Sequence, residues 1–390
     1  MPIRPVSDLV LKGKKVLLRC DFNVPLDGTT IADPSRIDAS LETIRYVLAA
    51  GGAAILCSHL GRPKERAPEL SLKPVAEYLS KALGHKVALA PDCIGEITGN
   101  MVSALAPGHA LLLENLRFHP EEEADDRDFS HELSRGKTSY VNDAFGTAHR
   151  AHASTHGVTR FLPERAAGFL MMRELDALRS LTENPEHPYV AILGGAKVSD
   201  KIGVLKNLIS KVDTILIGGA MAYTFLKAQN TPIGRSRVED DKLELARELI
   251  REAAAKKVGL ILPVDHVFAS TPTADAPAET GAQIPNTMMG LDIGPQTVMD
   301  FCAAVATAKT VVWNGPLGLF EIEKFARGTL KVGEALAYSS AKSVLGGGDT
   351  AAAVAGQPWA TRFTHISTGG GATLEYLEGR ELPGVKALET

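Results

Sequence analysis

Short apolar runs separated by amphipathic stretches fill the first half of the chain. The runs lie at 14–20, 53–58, 86–90, 110–116 and 139–141. In the stretches between them, apolar side chains recur at steps of three and four, as at Ile37, Leu41 and Ile44, which is the spacing of one helix face. Continuous apolar strands that alternate with helices are typical of a parallel sheet covered on both faces.

The second half of the chain repeats this pattern. Its apolar runs lie at 188–193, 213–217, 258–262, 310–313, 343–345 and 363–367. A predicted helix at 173–181, followed by the pairs Asn184–Pro185 and His187–Pro188, separates the halves. Because 390 residues exceed what one core usually organises, we expect an α/β protein with two such domains and a boundary in this region.

Composition and charge exclude several classes of protein. Hydrophobic residues make up 45% and charged residues 23% of the chain, which excludes whole-chain disorder, a collagen repeat and a coiled coil. The net charge of −4 argues against a nucleic-acid coat or a membrane-surface binder. The four cysteines have no paired spacing and the first residues lack a signal-peptide core, so we expect a cytoplasmic protein without a disulfide framework. The acidic run at 121–128 is expected to be a solvated first helical turn.

Basic residues follow the predicted strands of the first half. They are Arg19, Arg36, Arg62, Arg117, Arg150, His59 and His149. Ligands of open parallel sheets bind beyond the carboxyl ends of the strands, so we expect these side chains to face one edge. Five guanidiniums there would repel one another unless an anion bound, and their planar forks suit phosphate and carboxylate. The pattern predicts a small, highly anionic ligand, with Asp21 and Asn23 orienting its hydroxyls or steering the arginines.

Glycine-rich turns follow four predicted strands of the second half, at 193–197, 217–220, 345–350 and 367–371. Such turns let backbone N–H groups approach a phosphate closely. No Walker sequence and no GxGxxG fingerprint are present, which disfavours a P-loop NTPase and a plain dinucleotide-binding protein. Lys197 and Lys201 share a helix face and could reach phosphate oxygens. Asp349 could hold Mg²⁺ on a nucleotide, and Glu321 could accept ribose hydroxyls.

Ten segments in order resemble the phosphoglycerate kinase family across essentially the full chain. They are RCDFNVP (19–25), SHLGRP (58–63), LENLRFH (113–119), NDAFGTAHRAHAS (142–154), LGGAKVSDKI (193–202), IGGAMAYTF (217–225), LDIGP (291–295), WNGPLGLFE (313–321), GGGDT (346–350) and STGGGATLE (367–375). The resemblance implies two Rossmann-like domains separated by a cleft with a hinge. Residues 1–172 would bind phosphoglycerate, 173–188 would link the domains, 189–375 would bind nucleotide, and 376–390 would return to the amino-terminal domain.

The resemblance also implies the reaction and the residues that carry it. Phosphoglycerate kinases of glycolysis and gluconeogenesis transfer a phosphoryl group reversibly from 1,3-bisphosphoglycerate to ADP, giving 3-phosphoglycerate and ATP. The implied substrate site is Asp21, Phe22, Asn23, Arg36, His59, Leu60, Gly61, Arg62, Arg117 and Arg150. The implied nucleotide site is Gly195, Ala196, Lys201, Gly219, Ala220, Asn314, Pro316, Glu321, Gly347, Gly348, Asp349 and Thr350.

Direct in-line transfer after domain closure is the implied mechanism, with Arg36, Lys197 and Lys201 as the catalytic residues and Mg²⁺ held through Asp349. The family pattern would have a third glycine where Ala220 stands, so we expect the fit around the base to differ slightly from that pattern. We expect a monomer that binds neither nucleic acid nor membrane. A non-catalytic sensor of nucleotide and small anion is the alternative hypothesis.

Overall fold

A parallel sheet of six strands lies at the centre of each of the two units into which the chain divides. The computed structural model describes residues 3–389. The first unit runs to Leu175 and includes the segment from Glu381, and the second is Asp176–Arg380. The boundary between Leu175 and Asp176 lies inside the helix Phe169–Thr182, which overlaps the predicted linker 173–188. Residues 376–380, which were predicted to return to the first domain, belong to the second unit.

The first unit has eight strands among its described residues: β1 Lys15–Arg19, β2 Leu26–Asp27, β3 Thr30–Ile31, β4 Ala53–Cys57, β5 Ala88–Leu89, β6 Ala110–Leu112, β7 Ser139–Asn142 and β8 Arg165–Ala167. Its helices are α1 Ser35–Ala49, α2 Lys73–Leu83, α3 Glu96–Ala104, α4 Arg127–Ser134 and the first part of α5 Phe169–Thr182. The sheet order is β5-β6-β4-β1-β7-β8, every pair is parallel, and β2 and β3 form a separate antiparallel pair.

Burial explains the central strands of this sheet. All five residues of β4 and all four of β7 are buried, as expected for strands covered on both faces. Ile37 and Ile44 of α1 are fully buried in the core that covers β1 and β4. α2 ends at Gly84, whose φ of 73° is the left-handed conformation that glycine adopts at little cost.

The second unit contains the remaining strands: β9 Tyr189–Leu193, β10 Thr214–Ile217, β11 Gly259–Ile261, β12 His266–Ala269, β13 Glu279–Gly281, β14 Met289–Ile293, β15 Thr310–Asn314, β16 Lys342–Gly346 and β17 His365–Ile366. Its helices are α6 Ile202–Leu208, α7 Ala222–Ala228, α8 Leu243–Ala255, α9 Pro295–Thr307, α10 Arg327–Ala337, α11 Gly348–Val354 and α12 Gly371–Leu377; the last helix, α13 Pro383–Lys386, belongs to the first unit. The parallel sheet has the order β11-β10-β9-β15-β16-β17.

The predicted α/β architecture with two helix-covered parallel sheets is confirmed. Three features were not predicted: the edge strand β8, the β2–β3 pair and an antiparallel sheet of order β13-β12-β14. These strands are two to five residues long and lack a long apolar run, so no periodic signal marks them. Along the described residues, no helix combines the length and apolarity needed to cross a membrane.

Candidate active site

Two loops meet at the carboxyl edge of the first sheet, one after β1 and one after β4. The side-chain oxygen Oδ1 of Asn23 accepts a hydrogen bond from the Gly61 N–H at 2.9 Å. Asp21, which is largely buried, accepts from the Asn23 N–H at 3.2 Å and from Arg36 Nη1 at 2.9 Å. Asp21 therefore orients Arg36, whose side chain remains 39% exposed.

Arg117 reaches the same loops from the strand β6. A short 3₁₀ turn, Leu116–Phe118, carries it, and the turn is capped by Asn115, whose side chain accepts from the Arg117 N–H at 3.1 Å. Its Nη1 donates to the Gly61 carbonyl at 2.7 Å and its Nε lies 3.1 Å from Glu123. Its Nη2 is buried and has no hydrogen-bond partner among residues 3–389. Burial lowers the pKa of this guanidinium, so an anion at Nη2 would be favourable.

Arg19, expected to face the edge of the sheet, is instead buried beneath it, with 1% of its surface exposed. Its Nη2 lies 3.1 Å from Nδ1 of His59. A guanidinium can only donate, so this Nδ1 must accept and the ring proton of neutral His59 must sit on Nε2. Burial, with the charges of Arg19 and Arg117, holds the pKa of His59 well below its usual range. His59 is therefore a neutral ring that can donate from Nε2.

Glu122 completes this buried chain, and sequence analysis missed it. Its carboxylate is fully buried and accepts from Ser154 N at 2.9 Å and Ser154 Oγ at 2.5 Å, while Ser154 Oγ accepts from Arg19 Nε at 2.9 Å. The acidic run was expected to form a solvated helical turn. Residues 121–125 instead form turns before α4, whose N-cap is Asp126. Only the tertiary fold distinguishes Glu122 from the exposed acids on either side.

The other predicted substrate residues differ in what they can present to a ligand. Phe22 and Leu60 are buried, and their side chains pack in the core of the unit, so the structure does not bring these side chains into the site. Arg62 is exposed. Arg150 is half-buried and its Nε donates to Nε2 of His149 at 3.1 Å. The structure thus brings the loops of Asp21, Asn23, Gly61 and Arg117 together by direct hydrogen bonds.

The glycine turns after β9 and β10 pack directly against the loop after β15. Gly195 N donates to the Pro316 carbonyl and Gly219 N to the Leu317 carbonyl, both at 2.9 Å. Gly219 has a φ of 65°, and a Cβ added to it would lie 2.6 Å from the nitrogen of Gly195. Any side chain at Gly219 would separate these loops.

A cavity of about 320 Å³ opens between these turns, within the second unit. Seven predicted residues line it: Gly195, Ala196, Gly219, Ala220, Pro316, Glu321 and Asp349. Its other walls are mostly apolar and come from Tyr223, from residues 289–293 of β14 and from residues 317–320. An apolar cavity with a few polar groups at its rim is typical of a small-molecule site. The β14 wall was missed because this strand is short and has neither a long apolar run nor a polar residue pattern that would mark it.

Lys201 ends a 3₁₀ turn, Ser199–Lys201, at the start of α6. Its ammonium donates to the side-chain oxygen of Asn314, whose Nδ2 donates to the Gly346 carbonyl at 2.8 Å. Burial lowers the pKa of Lys201 to about 8, although Asp200 and Asp349 oppose this shift. Asn314 is fully buried, so it positions Lys201 and is not itself exposed to a ligand. Lys197 is exposed.

The loop at the start of α11 contains both exposed residues and a buried residue that holds two loops together. Gly347 has a φ of 92°, and Gly348 and Asp349 are exposed at the start of the helix. Thr350 is fully buried; its hydroxyl donates to the Gly346 carbonyl at 2.8 Å and accepts from Gly315 N at 2.7 Å. The Thr350 hydroxyl therefore joins two loops and is not available to a cation, whereas the Asp349 carboxylate is.

Comparisons with known proteins agree with one another. A family model described as phosphoglycerate kinase matches residues 6–380. Phosphoglycerate kinases from Anaeromyxobacter dehalogenans and Prosthecochloris aestuarii are each 54% identical to the chain, with all of both proteins covered. Solved phosphoglycerate kinase structures are also similar. The Coxiella burnetii enzyme has a TM-score of 0.92 and 41% identity over 99% of both chains. The Pyrococcus horikoshii enzyme has a TM-score of 0.87 and 32% identity, covering 99% of this chain and 98% of its own.

Proposed function

The chain belongs to the phosphoglycerate kinase family, and we propose on that premise which of its residues carry the reaction. It is a phosphotransferase of glycolysis with a carboxyl group as acceptor. The reaction moves a phosphoryl group reversibly from 1,3-bisphosphoglycerate to ADP. The alternative of a non-catalytic sensor is not supported.

We place the phosphoglycerate on the carboxyl edge of the first sheet. The observation that carries this assignment is the buried, unpartnered Nη2 of Arg117 beside the Gly61 loop. Arg36, oriented by Asp21, and the exposed Arg62 add positive charge at the same edge. A ligand with both a phosphate and a carboxylate matches several guanidinium forks at once.

The nucleotide belongs in the cavity of the second unit. The apolar walls would accept the base, and Glu321 at the rim is available to ribose hydroxyls. Lys201 and the exposed Lys197 would contact phosphate oxygens. A bound phosphate would raise the pKa of Lys201 again, because a negative charge favours the ammonium form.

Mg²⁺ fits the donor set near Asp349. This carboxylate is exposed and lines the cavity. A single hard oxygen donor suits Mg²⁺, which keeps most of its other ligands as water and phosphate oxygens. When bound, the ion would offset the negative charge of the nucleotide phosphates.

The chemistry requires positioning and charge neutralisation. The acceptor is already a carboxylate or phosphate oxyanion, so neither a covalent nucleophile nor a general base is needed. Charge spreads over the equatorial oxygens of the phosphoryl group in flight, and we assign Arg36, Lys201 and Lys197 to stabilise it. Direct transfer demands that both substrates meet in dry surroundings, so the proposal includes closure of the two units over them.

Alanine variants test these assignments in a coupled assay with 3-phosphoglycerate and MgATP. Arg36→Ala and Lys201→Ala should lower kcat by about 10² or more with an unchanged circular dichroism spectrum. Lys206→Ala, which removes an exposed lysine of α6, is the matched control and should retain full activity. A kcat within about twofold of the control for both variants would refute the assigned roles.

We further propose that the enzyme acts as a cytoplasmic monomer. The four cysteines are free thiols and three are buried, which suits a reducing compartment. Sedimentation equilibrium of the purified protein tests the monomer, and a dimer mass at assay concentration would contradict it.

A further inference from the structure

Three side chains with different donor atoms cluster beyond the ends of β5 and β6. One oxygen of Asp92, the sulfur of Cys93 and one ring nitrogen of His119 all lie within 4.8 Å of one another. Neither the reaction nor the proposed substrate contacts use any of them. Carboxylate, thiolate and imidazole together are the donors that Zn²⁺ prefers, whereas Mg²⁺ avoids sulfur.

Hydrogen bonds already organise this cluster. His119 Nε2 lies 2.7 Å from Asp92 Oδ1, and the Cys93 N–H donates to the same oxygen at 2.6 Å. The other oxygen of Asp92 pairs with Arg66 Nη1 at 3.1 Å. The His119 ring packs against Phe129 with centroids 5.3 Å apart, which limits its rotation. Because the side chains of Asp92 and His119 already have partners within the protein, folding does not require a cation here.

Small movements convert the cluster into a tetrahedral site. Tetrahedral zinc bonds of about 2.1 Å to nitrogen and oxygen place these atoms about 3.4 Å apart. Entry of the ion thus lengthens the 2.7 Å contact between His119 and Asp92 by about 0.7 Å. A zinc–sulfur bond of about 2.3 Å places the sulfur about 3.6 Å from the ring nitrogen. These two atoms now lie at most 4.8 Å apart, so they approach each other by at most about 1.2 Å when the ion binds.

The cluster can be reached from solvent through His119 and Asp92. The side chains of His119 and Asp92 are 24% and 31% exposed. Cys93 is buried from bulk solvent but lines a second cavity, of about 420 Å³, beside α3. A water molecule can therefore complete the coordination, as in zinc sites with three protein ligands.

His119 also belongs to the loop that carries the proposed substrate residues. Its carbonyl accepts from the Glu122 N–H at 3.1 Å, and Arg117 lies two residues before it. A movement of His119 therefore also moves Glu122, through the hydrogen bond, and Arg117, through the backbone. We propose that Asp92, Cys93 and His119 bind Zn²⁺ or a similarly soft divalent cation, and that its binding displaces Arg117 and weakens phosphoglycerate binding.

Zinc titration of the full chain against a chelating chromophore tests the site. We expect one Zn²⁺ per wild-type chain and an affinity lower by about tenfold or more in Cys93→Ser and in His119→Gln. Cys302→Ser, which removes a half-buried thiol outside the cluster, is the matched control and should bind as the wild type does. With Co²⁺ as the probe, a thiolate-to-cobalt charge-transfer band should appear in the control and be absent from Cys93→Ser.

Equal affinities in all four proteins, or a cobalt spectrum without the thiolate band, would overturn the site. His119 is partly exposed, so His119→Gln still decides the question if Cys93→Ser does not fold. In the second measurement, one equivalent of Zn²⁺ at saturating MgATP should raise the KM for 3-phosphoglycerate by about threefold in the control but not in His119→Gln. Zinc binding with an unchanged KM would overturn the coupling to Arg117; this arm rests on the proposed substrate site, whereas the binding arm does not.

Discussion

A series of buried hydrogen bonds leads from Glu122 through Ser154 and Arg19 to His59. The substitution Glu122→Gln removes the one negative charge in this series. The carboxylate accepts two hydrogen bonds from Ser154. An amide has a single acceptor oxygen, so one of the two bonds is lost or must reverse its direction, and neither of them then involves a charged group. Bonds to charged groups contribute about 1.5–3 kcal/mol. Arg19, which is joined to Glu122 through Ser154, also loses this nearby negative charge. We expect the free energy of unfolding to fall by about 3 kcal/mol.

The functional effect arises at the ring of His59. The charged hydrogen bond from Arg19 to Nδ1 favours the Nε2–H tautomer by about 10- to 100-fold if it contributes about 1.5–3 kcal/mol. Loosening Arg19 weakens that preference, so a smaller share of the rings carries the Nε2 proton. In the substrate site that the family resemblance implies, this proton would be donated to phosphoglycerate. The KM for 3-phosphoglycerate should rise by about tenfold, equivalent to about 1.4 kcal/mol, while the KM for MgATP stays unchanged.

Nitrogen-resolved NMR of the histidine rings measures the tautomer, and steady-state kinetics measures both KM values. Glu121→Gln is the matched control, because Glu121 is the exposed neighbour in the same acidic run and should change stability by less than about 0.5 kcal/mol. Ser154→Ala interrupts the same chain with a smaller perturbation if Glu122→Gln does not fold. A His59 tautomer and a substrate KM equal to those of Glu121→Gln would refute the reasoning.

Three further predictions concern other parts of the structure. Because the pKa of Lys201 is lowered to about 8, kcat/KM for nucleotide should decline as pH rises through that value, and Lys201→Arg should move the decline to higher pH; a flat profile for the wild type would contradict this. Gly219→Ala should raise the KM for nucleotide by about tenfold or more, because its Cβ meets the backbone of Gly195 at 2.6 Å. Gly356→Ala, with a similar φ of 75° but open space around the Cβ, controls for backbone strain and should leave that KM unchanged. Burial raises the pKa of Asp143 to about 7, so the folded state holds this proton where the unfolded chain, with a pKa of about 3.9, releases it. Stability from this group is therefore lost as pH rises from about 4 to 7, and denaturant melts should show a shallower loss over that window in Asp143→Asn.

Local sequence predicts much of the fold because each central strand and each long helix has its own periodic signal. The apolar runs at 53–58 and 139–141 correspond to β4 and β7, and the helical spacing from Ile37 corresponds to α1. Short edge elements such as β8 and the β12–β14 sheet have no such signal, since neighbouring strands rather than apolar periodicity determine their pairing.

Residue type and position near the end of a predicted strand were enough to nominate candidate ligand-binding residues at one edge of each sheet. This is possible because the carboxyl ends of parallel strands all lie at the same edge. Which atoms of those residues are available depends on contacts between distant segments. Arg19 ends β1 and Arg117 follows β6. Arg19 donates hydrogen bonds to Ser154 and His59 in the interior, whereas Arg117 retains a buried, unpartnered Nη2. Glu121 and Glu122 are chemically identical neighbours, and only the packing of residues 152–154 against their turn makes one of them a buried charge. Sequence by itself determined the architecture and the family, and it nominated candidate residues at two sheet edges. Which of those charges face a ligand and which lie in the core required the tertiary structure, because desolvation and hydrogen-bond pairing depend on residues far apart in the chain.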